Sequence, residues 1–285
     1  MKYFLIVILV ANVLTQVMPA AEPIVGQTSS AVSVIPKEGL AFWTTAEDAV
    51  VEGGAVVRLK DRSGQGNDAV FMPDAAVPPK NPLVVRHEVA QRPVLRFDGR
   101  FTGYALTRGI ANVRTLIYVV SKHPDSAKSF PERHVVSRGG KEKDKTPPRA
   151  PGFPAGWHWT DTIIEYGMIR GVACWFNGAP VDPYVSEYSF HPKLAVISLI
   201  PSQNSLVEVI SRDRDIKDRS WFGDIAEIII YTVPLAAADR RAVEAYLMAR
   251  YKIEPFPPVI VPKEMAVIGH PKPSKTATAA PAAAK

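Results

Sequence analysis

Short runs of β-branched and other apolar residues recur along the chain, and glycine, proline, asparagine or aspartate bounds each run. Such runs are typical of β-strands, because branched side chains pack well on a pleated surface. The clearest runs cover residues 55–59, 94–97, 115–120, 194–199 and 225–231. Many short strands with almost no helix predict an all-β protein whose antiparallel sheets form a sandwich or a barrel.

Two local signals refine this prediction. Asn177-Gly178 separates two short apolar runs, and this dipeptide tolerates positive φ at both central positions, so it predicts a two-residue hairpin turn. Residues 235–251 carry apolar side chains at helical spacing, with Arg240 and Glu244 on the opposite side. We expect this segment to be a single amphipathic helix that packs on the sandwich.

The formal net charge of +6 is concentrated in two places. Residues 255–285 hold four lysines and one glutamate, and residues 138–149 hold five basic and two acidic residues. The rest of the chain is therefore nearly neutral. Nucleic-acid-binding domains carry their positive charge on a folded face, so this distribution argues against a nucleic-acid partner.

The two ends of the chain differ in composition from its middle. Lys2, an apolar stretch of about a dozen residues and the small residues after it predict a signal peptide over residues 1–21. We expect a linker over 22–37, a folded domain over 38–253 and a Pro/Ala/Lys-rich tail over 254–285. The protein is thus expected to be secreted or periplasmic, with no membrane span after signal removal; an uncleaved N-terminal anchor is the alternative.

Common catalytic and cofactor motifs are missing from the sequence. Cys174 is the single cysteine, which excludes an intrachain disulfide and a cysteine-rich zinc site. Neither the nucleophile elbow of serine hydrolases nor a phosphate-binding glycine loop occurs. The sequence therefore predicts no cofactor, with calcium as the one ion to consider.

Four sequence blocks occur in a characteristic order, at residues 39–43, 59–69, 92–99 and 223–231. Together with the helical segment that follows them, they resemble the concanavalin A-like, laminin-G-like jelly-roll domains of secreted bacterial proteins. The resemblance implies two antiparallel sheets in a jelly roll closed by one C-terminal helix, and often a role in glycan or protein adhesion. A fold does not by itself confer an activity.

A glycoside hydrolase is the enzymatic alternative, because some relatives of this fold hydrolyse β-glucans. Hydrolysis needs two carboxyl groups about 5–10 Å apart across the scissile bond. The nearest string here runs from Asp224 to Glu227, a separation that places the two side chains on opposite faces of a regular strand. Phe222 stands where the laminarinase-type motif has its first glutamate. We therefore expect no enzymatic activity, with Asp224 capping a turn and Glu227 on the exposed face of the sheet.

Calcium is the ion that the resemblance suggests, held at the rim of the sandwich by carboxylates and backbone carbonyls. The candidate ligands are Asp61, Asn67 and Asp98. Arg100 follows Asp98 at a point where relatives commonly have an acidic residue, and it would repel a cation. Asx residues in turns usually bond to their own backbone, so a purely structural role is the alternative.

Carbohydrate binding needs aromatic rings on which a sugar can stack and polar groups that orient its hydroxyls. Trp157 and Trp159 lie two residues apart, so both rings project to one side of an extended chain, and Tyr166 completes this candidate site. The alternative is that both tryptophans fill the core, as we expect for the remaining three tryptophans.

These observations favour a secreted, non-enzymatic domain that binds a carbohydrate or a surface protein through loops at one rim. A structural protein–protein interaction module is the first alternative, and a glycoside hydrolase of the same fold is the second.

Overall fold

The computed structural model describes residues 34–72, 82–100, 102–125, 133–139, 172–183, 193–202, 204–212 and 219–255. Within these ranges the protein consists mostly of strands, which form two antiparallel sheets packed as a sandwich, with one C-terminal α-helix. The predicted all-β, jelly-roll-like architecture is therefore confirmed. The predicted signal peptide, residues 140–149 of the basic segment and most of the C-terminal tail lie outside the described residues.

The described part of the chain contains fourteen strands of two to ten residues. They are β1 (Leu40–Thr45), β2 (Ala49–Glu52), β3 (Ala55–Leu59), β4 (Ala69–Phe71), β5 (Leu83–Arg86), β6 (Pro93–Asp98), β7 (Tyr104–Val113), β8 (Thr115–Lys122), β9 (Val136–Ser137), β10 (Val172–Phe176), β11 (Ala179–Val181), β12 (Ala195–Pro201), β13 (Ser205–Ile210) and β14 (Phe222–Tyr231). A 3-10 turn, Ala46–Asp48, follows β1, and the helix α1 covers Ala237–Tyr251.

The strands divide into a larger and a smaller sheet. The larger sheet has the order β11-β10-β12-β8-β14-β6-β5, and β1 also pairs with β14. The smaller sheet has the order β2-β3-β4-β7-β13-β9. Asn177 and Gly178 join β10 to β11 with φ values of 46° and 83°, so the predicted two-residue hairpin is confirmed.

Strand β8 shows how the larger sheet is buried on both faces. Leu116 and Tyr118 face the core between the sheets, whereas Ile117 and Val119 belong to a second apolar cluster on the outer face. All four side chains are fully buried. A strand covered on both sides needs apolar residues at every position rather than at alternate ones, which explains its continuous hydrophobic sequence.

Helix α1 covers part of the outer face of the larger sheet. Its buried residues are Arg240, Val243, Glu244, Leu247 and Tyr251. The expectation that Arg240 and Glu244 lie on the solvent side is wrong, because they form an ion pair within one helical turn on the buried side. The guanidinium of Arg240 lies 3.7 Å from the ring centroid of Trp175, so the charge is covered by an aromatic face.

None of the helical segments in the described part of the chain combines the length and the hydropathy that a bilayer crossing requires.

Strand β14 contains a β-bulge at Ala226. Ile225 and Glu227 pair with consecutive residues of β8, which leaves Ala226 as the extra residue. The strand also changes its other neighbour here, because its first residues pair with β6 and its last residues pair with β1. The bulge thus marks the point where one long strand passes from one partner to the next.

The bulge places Asp224 and Glu227 on the same outer face of the larger sheet. Asp224 pairs with Arg96 of β6, and Glu227 bonds to Tyr251 of α1. The expectation that the two carboxyls point to opposite faces is wrong, because it assumed an unbroken strand. Asp224 lies within β14 rather than in a turn cap, and Glu227 is buried rather than exposed.

Candidate functional site

A cleft of about 410 Å³ opens on the outer face of the larger sheet, beyond the C-terminal end of α1. The last helical residue, Tyr251, has its hydroxyl 3.4 Å from the carbonyl oxygen of Ala226. Gly223 and Asp224, which precede the bulge on β14, line the cleft. The cleft therefore occupies the part of the sheet face that the helix leaves uncovered.

Five parts of the fold supply its walls. They are the β5–β6 turn, β6, the end of β8 with the two residues after it, Lys193 shortly before β12, and the start of β14. The described residues that carry its chemistry are His87, Arg96, Lys122, His123, Lys193 and Asp224.

Strands β8 and β14 approach each other very closely at this cleft. Gly223 has a φ of 147°, and a Cβ atom built on it would lie 2.1 Å from the carbonyl oxygen of Ser121. No side chain fits between these two backbones, so the position requires glycine. The close approach holds the neighbouring Asp224 at the cleft surface on two rigid strands.

Asp224 and Arg96 form a bidentate ion pair. The Nε and Nη2 atoms of Arg96 donate to the two carboxylate oxygens at 2.8 and 2.9 Å. The Asp224 side chain is only 7% exposed, whereas the Arg96 side chain is 52% exposed. The carboxylate is thus occupied by its partner, and the guanidinium presents the charge of the pair to the cleft.

Two histidine rings line the cleft, and both accept a hydrogen bond through Nδ1. The backbone N–H of Ala90 donates to His87 at 3.2 Å, and that of Asp125 donates to His123 at 3.1 Å. A ring nitrogen that accepts carries no proton, so each neutral ring holds its proton on Nε2. His123 also stacks on Phe222, with ring centroids 4.3 Å apart.

The protonation state of His87 follows from its surroundings. Burial lowers the pKa of His87 from its ordinary value of 6.5, and the nearby charge of Arg96 lowers it further, although Asp224 and Glu88 act in the opposite direction. His87 is therefore a neutral N–H donor at pH 7.

Two lysines and one glutamate complete the charged lining of the cleft. Lys122 is buried at the end of β8, and Lys193 is exposed just before β12. Glu88, in the β5–β6 turn, is the acidic residue that accompanies Asp224 among the described residues of the lining. Since Asp224 is already paired with Arg96, hydrogen-bond donors outnumber acceptors among these lining side chains.

A second charged cluster, the Glu227 network, lies beside the cleft under the end of α1. The Glu227 side chain is 0% exposed. Its oxygens accept hydrogen bonds from Nε1 of Trp43 at 2.7 Å and from the hydroxyl of Tyr251 at 2.8 Å, and Nε of Arg250 lies 3.3 Å away. These contacts join β14 to β1 and to α1.

Arg250 extends the Glu227 network to the surface. Its Nη2 atom contacts Glu47 at 2.8 Å, and Arg92 contacts the other oxygen of Glu47 at 2.7 Å. Burial raises the pKa of Glu227, because its hydrogen bonds and the charge of Arg250 only partly offset desolvation. For the more exposed Glu47, the two arginines outweigh desolvation and lower the pKa. The network stabilises the docked helix, and its central carboxyl is closed to solvent.

Asp61 organises the glycine-rich loop between β3 and β4. Its two oxygens accept hydrogen bonds from the backbone N–H groups of Trp43, Ser63 and Asn67 and from the hydroxyl of Ser63, at 2.7–3.1 Å. The side-chain oxygen of Asn67 in turn accepts from the backbone N–H of Arg108 at 2.7 Å. Asp61 thus closes the loop and ties it to β1, and Asn67 ties it to β7, so both residues have the structural role that was the alternative for them.

The structure does not bring the third calcium candidate, Asp98, to Asp61 and Asn67. Asp98 pairs with Phe222 at the start of β14, whereas Trp43, which bonds to Asp61, pairs with Ile229. Seven strand residues separate these two positions by about 20 Å. Among the described residues, no group of three or more His, Cys, Asp or Glu side chains is arranged to hold a metal ion.

The tryptophans divide into three groups. Trp157 and Trp159, with Tyr166, lie outside the described residues, so that candidate sugar site stays a prediction. Trp221 is fully buried in the core between the sheets, as expected. Trp43 and Trp175 are partly buried on the helix side of the larger sheet, where Trp43 packs against the second apolar cluster and Trp175 contacts Arg240, so neither lies in the core between the sheets.

Sequence reasoning missed the cleft because its parts come from distant segments. Two of the recognised blocks, residues 92–99 and 223–231, pair as β6 and β14 and carry Arg96 and Asp224. The opposite charges of these blocks were the available signal, but the sequence does not show that they are neighbours.

Compared with protein families, with curated proteins and with solved structures, the chain shows no match.

Proposed function

We propose that the protein is a secreted recognition domain of concanavalin A-like type that binds a carbohydrate in the outer-face cleft and breaks no bond in it. The observation that carries the proposal is the cleft itself: a rigid, donor-rich depression built on paired strands. Its volume lies within the range of small-ligand sites. Sugars offer many oxygen acceptors, which match imidazole, guanidinium and ammonium donors.

The state of the two carboxyls supports a binding role rather than hydrolysis. A glycosidase needs one carboxyl that donates a proton and another that attacks or activates water, both facing the substrate. Asp224 is held by Arg96 through two hydrogen bonds, and Glu227 is enclosed by Trp43, Tyr251 and Arg250. Neither carboxyl is therefore available to a bound sugar in the way that the two catalytic carboxyls of a glycosidase must be.

Carbohydrate binding is tested with an oligosaccharide array followed by calorimetry on the best ligand. We expect His123→Ala to weaken binding at least about tenfold, because the ring is both a donor and a stacked aromatic surface. Glu52→Ala, an exposed change on the smaller sheet, is the matched control.

The same assay separates the cleft from the tryptophan site predicted from the sequence. If the double variant Trp157→Ala, Trp159→Ala loses binding while His123→Ala keeps it, the ligand binds at the tryptophans and the cleft proposal is wrong. If no saccharide on the array binds, the carbohydrate function itself is overturned.

Exposed apolar side chains next to the cleft favour one second candidate, a protein-interaction module. Leu83 and Val84 of β5, at one end of the larger sheet, and Val89 in the following turn are 63%, 42% and 59% exposed. A cluster of this kind often marks a protein contact. Capture of a surface protein that Leu83→Lys abolishes and His123→Ala leaves intact would support this candidate over the first.

A further inference from the structure

The β5–β6 turn gives the cleft one wall that carries a donor, an acceptor and an apolar side chain in succession, at His87, Glu88 and Val89. We propose that the saccharide bound in the cleft carries an acetamido group, and that these three residues recognise it. The inference rests on the proposed carbohydrate function and deepens it, because it names the chemical class of the sugar.

The ring of His87 lies beside Val89. The backbone N–H of Ala90 donates to Nδ1 of His87 at 3.2 Å, and the nitrogen of Ala90 is separated from Cα of Val89 by a single carbonyl carbon. Standard backbone dimensions therefore place Nδ1 of His87 within about 6 Å of Cα of Val89. The donor and the apolar side chain of this wall thus belong to one small surface.

Each of the three side chains offers a ligand a different kind of contact. His87 is partly exposed and uses Nδ1 inside the turn, so Nε2–H is the polar group of the ring that can meet a ligand. Glu88 is exposed, and its carboxylate is an acceptor. Val89 is 59% exposed although its side chain is apolar. The wall therefore combines one donor, one charged acceptor and one pair of methyl groups.

An acetamido group matches all three contacts. Its carbonyl oxygen accepts from an imidazole N–H, its N–H donates to a carboxylate, and its methyl group packs on an apolar side chain. A sugar hydroxyl satisfies the donor or the acceptor but leaves Val89 in water. A methyl group alone, as in a deoxy sugar, covers Val89 but bonds to neither His87 nor Glu88. The acetamido group brings the three features together on one small planar substituent.

The turn is held in place before any ligand binds. The N–H of His87 donates to the carbonyl oxygen of Arg92 at 2.9 Å, and the N–H of Gln91 donates to the carbonyl oxygen of His87 at 2.8 Å. Nε of Arg92 in turn donates to the carbonyl oxygen of Arg250, near the end of α1, at 3.1 Å. A fixed wall loses little conformational entropy when a ligand binds, which favours selection of one substituent over loose apolar contact.

The test compares two sugars of equal length. Calorimetry with the full chain at pH 7 measures binding of chitotriose, which carries acetamido groups, and of cellotriose, which carries hydroxyls at the same positions. We expect chitotriose to bind at least about tenfold more tightly. Val89→Ser should weaken chitotriose about fourfold and His87→Ala about tenfold, and both should reduce the ratio of the two affinities.

Two further variants distinguish this wall from its surroundings. Leu83→Ser removes an exposed apolar side chain of β5 that is not among the described lining residues, and it should leave both affinities unchanged. His123→Ala changes another part of the cleft lining and should weaken both sugars by the same factor, because its ring does not contact the acetamido group.

Each other result contradicts a defined part of the inference. Equal affinities for chitotriose and cellotriose overturn the acetamido class and leave carbohydrate binding in place. A preference for chitotriose that neither Val89→Ser nor His87→Ala reduces, or that Leu83→Ser reduces equally, overturns the assignment to the β5–β6 turn. Binding of other saccharides on the array without binding of chitotriose overturns this inference alone, whereas absence of binding to every saccharide overturns the proposed function as well.

Discussion

Replacing Glu227 by alanine tests whether the Glu227 network holds the helix on the sheet. The substitution removes an acceptor that receives hydrogen bonds from Trp43 and Tyr251 and the partner of Arg250. Breaking a buried ion pair by removing one partner costs about 3–5 kcal/mol, because the other charge stays buried without compensation. Arg250 keeps its contact with Glu47, so we expect the lower part of this range, about 3 kcal/mol.

Urea unfolding measures this loss. Trp43 donates directly to Glu227, so tryptophan fluorescence reports on the site, and far-UV circular dichroism reports on the whole sandwich. In a domain of this size, about 3 kcal/mol corresponds to a decrease in Tm of about 6–12 °C. Glu52→Ala is the control, and an exposed change of this kind alters the free energy of unfolding by at most about 0.5 kcal/mol.

Tyr251→Phe refines the test, because it removes only one donor to Glu227 and preserves the shape of the ring. A single hydrogen bond to a charged group contributes about 1.5–3 kcal/mol, so this variant should lie between the wild type and Glu227→Ala. The expected loss is about 3 kcal/mol. The reasoning is refuted if the free energy of unfolding of Glu227→Ala differs from that of the wild type by less than about 1 kcal/mol at an unchanged m-value.

Three further predictions follow from other parts of the fold. Burial raises the folded-state pKa of Glu227 above 4.5, so the folded protein holds more protons there than the unfolded chain. The free energy of unfolding, measured relative to Glu227→Gln, should therefore fall as the pH rises from about 4.5. Curves of unfolding free energy against pH that run parallel for the two proteins in urea titrations would contradict this. Asp61→Ala should lower the free energy of unfolding by about 2–3 kcal/mol, because the backbone N–H groups that bond to Asp61 lose their acceptor. Added CaCl₂ should not change the Tm of the wild type. A rise in Tm with Ca²⁺ would reveal a calcium site that the hydrogen bonds of the loop do not explain. Gly223→Ala should prevent folding or cost more than about 3 kcal/mol, because its Cβ would collide with Ser121. Gly53→Ala is the control; it has open space around it and should cost only about 1–2 kcal/mol through its positive φ. Equal Tm values for the two variants would show that β8 and β14 can separate to admit the Cβ.

The strands and the hairpin could be predicted because their signals are local. Residues 55–59 form β3 as expected, and Asn177-Gly178 forms the two-residue turn, since side-chain branching and positive φ act within a few residues. The helix was also foreseen, although its buried face was not. Arg240 and Glu244 neutralise each other on the buried side of the helix, with Arg240 against the ring of Trp175, and no hydrophobicity pattern shows that two opposite charges are buried together.

The candidate site could not be foreseen from any one segment. The bulge at Ala226 turns Asp224 and Glu227 to one face, and it lies where β14 passes from its partner β6 to its partner β1. The calcium candidates lie apart for a similar reason. Asp98 pairs with the start of β14, whereas Asp61 bonds to Trp43 of β1, which pairs with the later part of β14.

The sequence by itself determined that this protein is a β-sandwich followed by a C-terminal helix, because strand propensity, turn chemistry and helical spacing are properties of neighbouring residues. Only the tertiary structure decided which charges meet, which are buried and which part of the sheet face α1 covers. Those outcomes depend on the register between strands far apart in the chain, as in the pairing of Arg96 with Asp224, and on the point at which α1 ends.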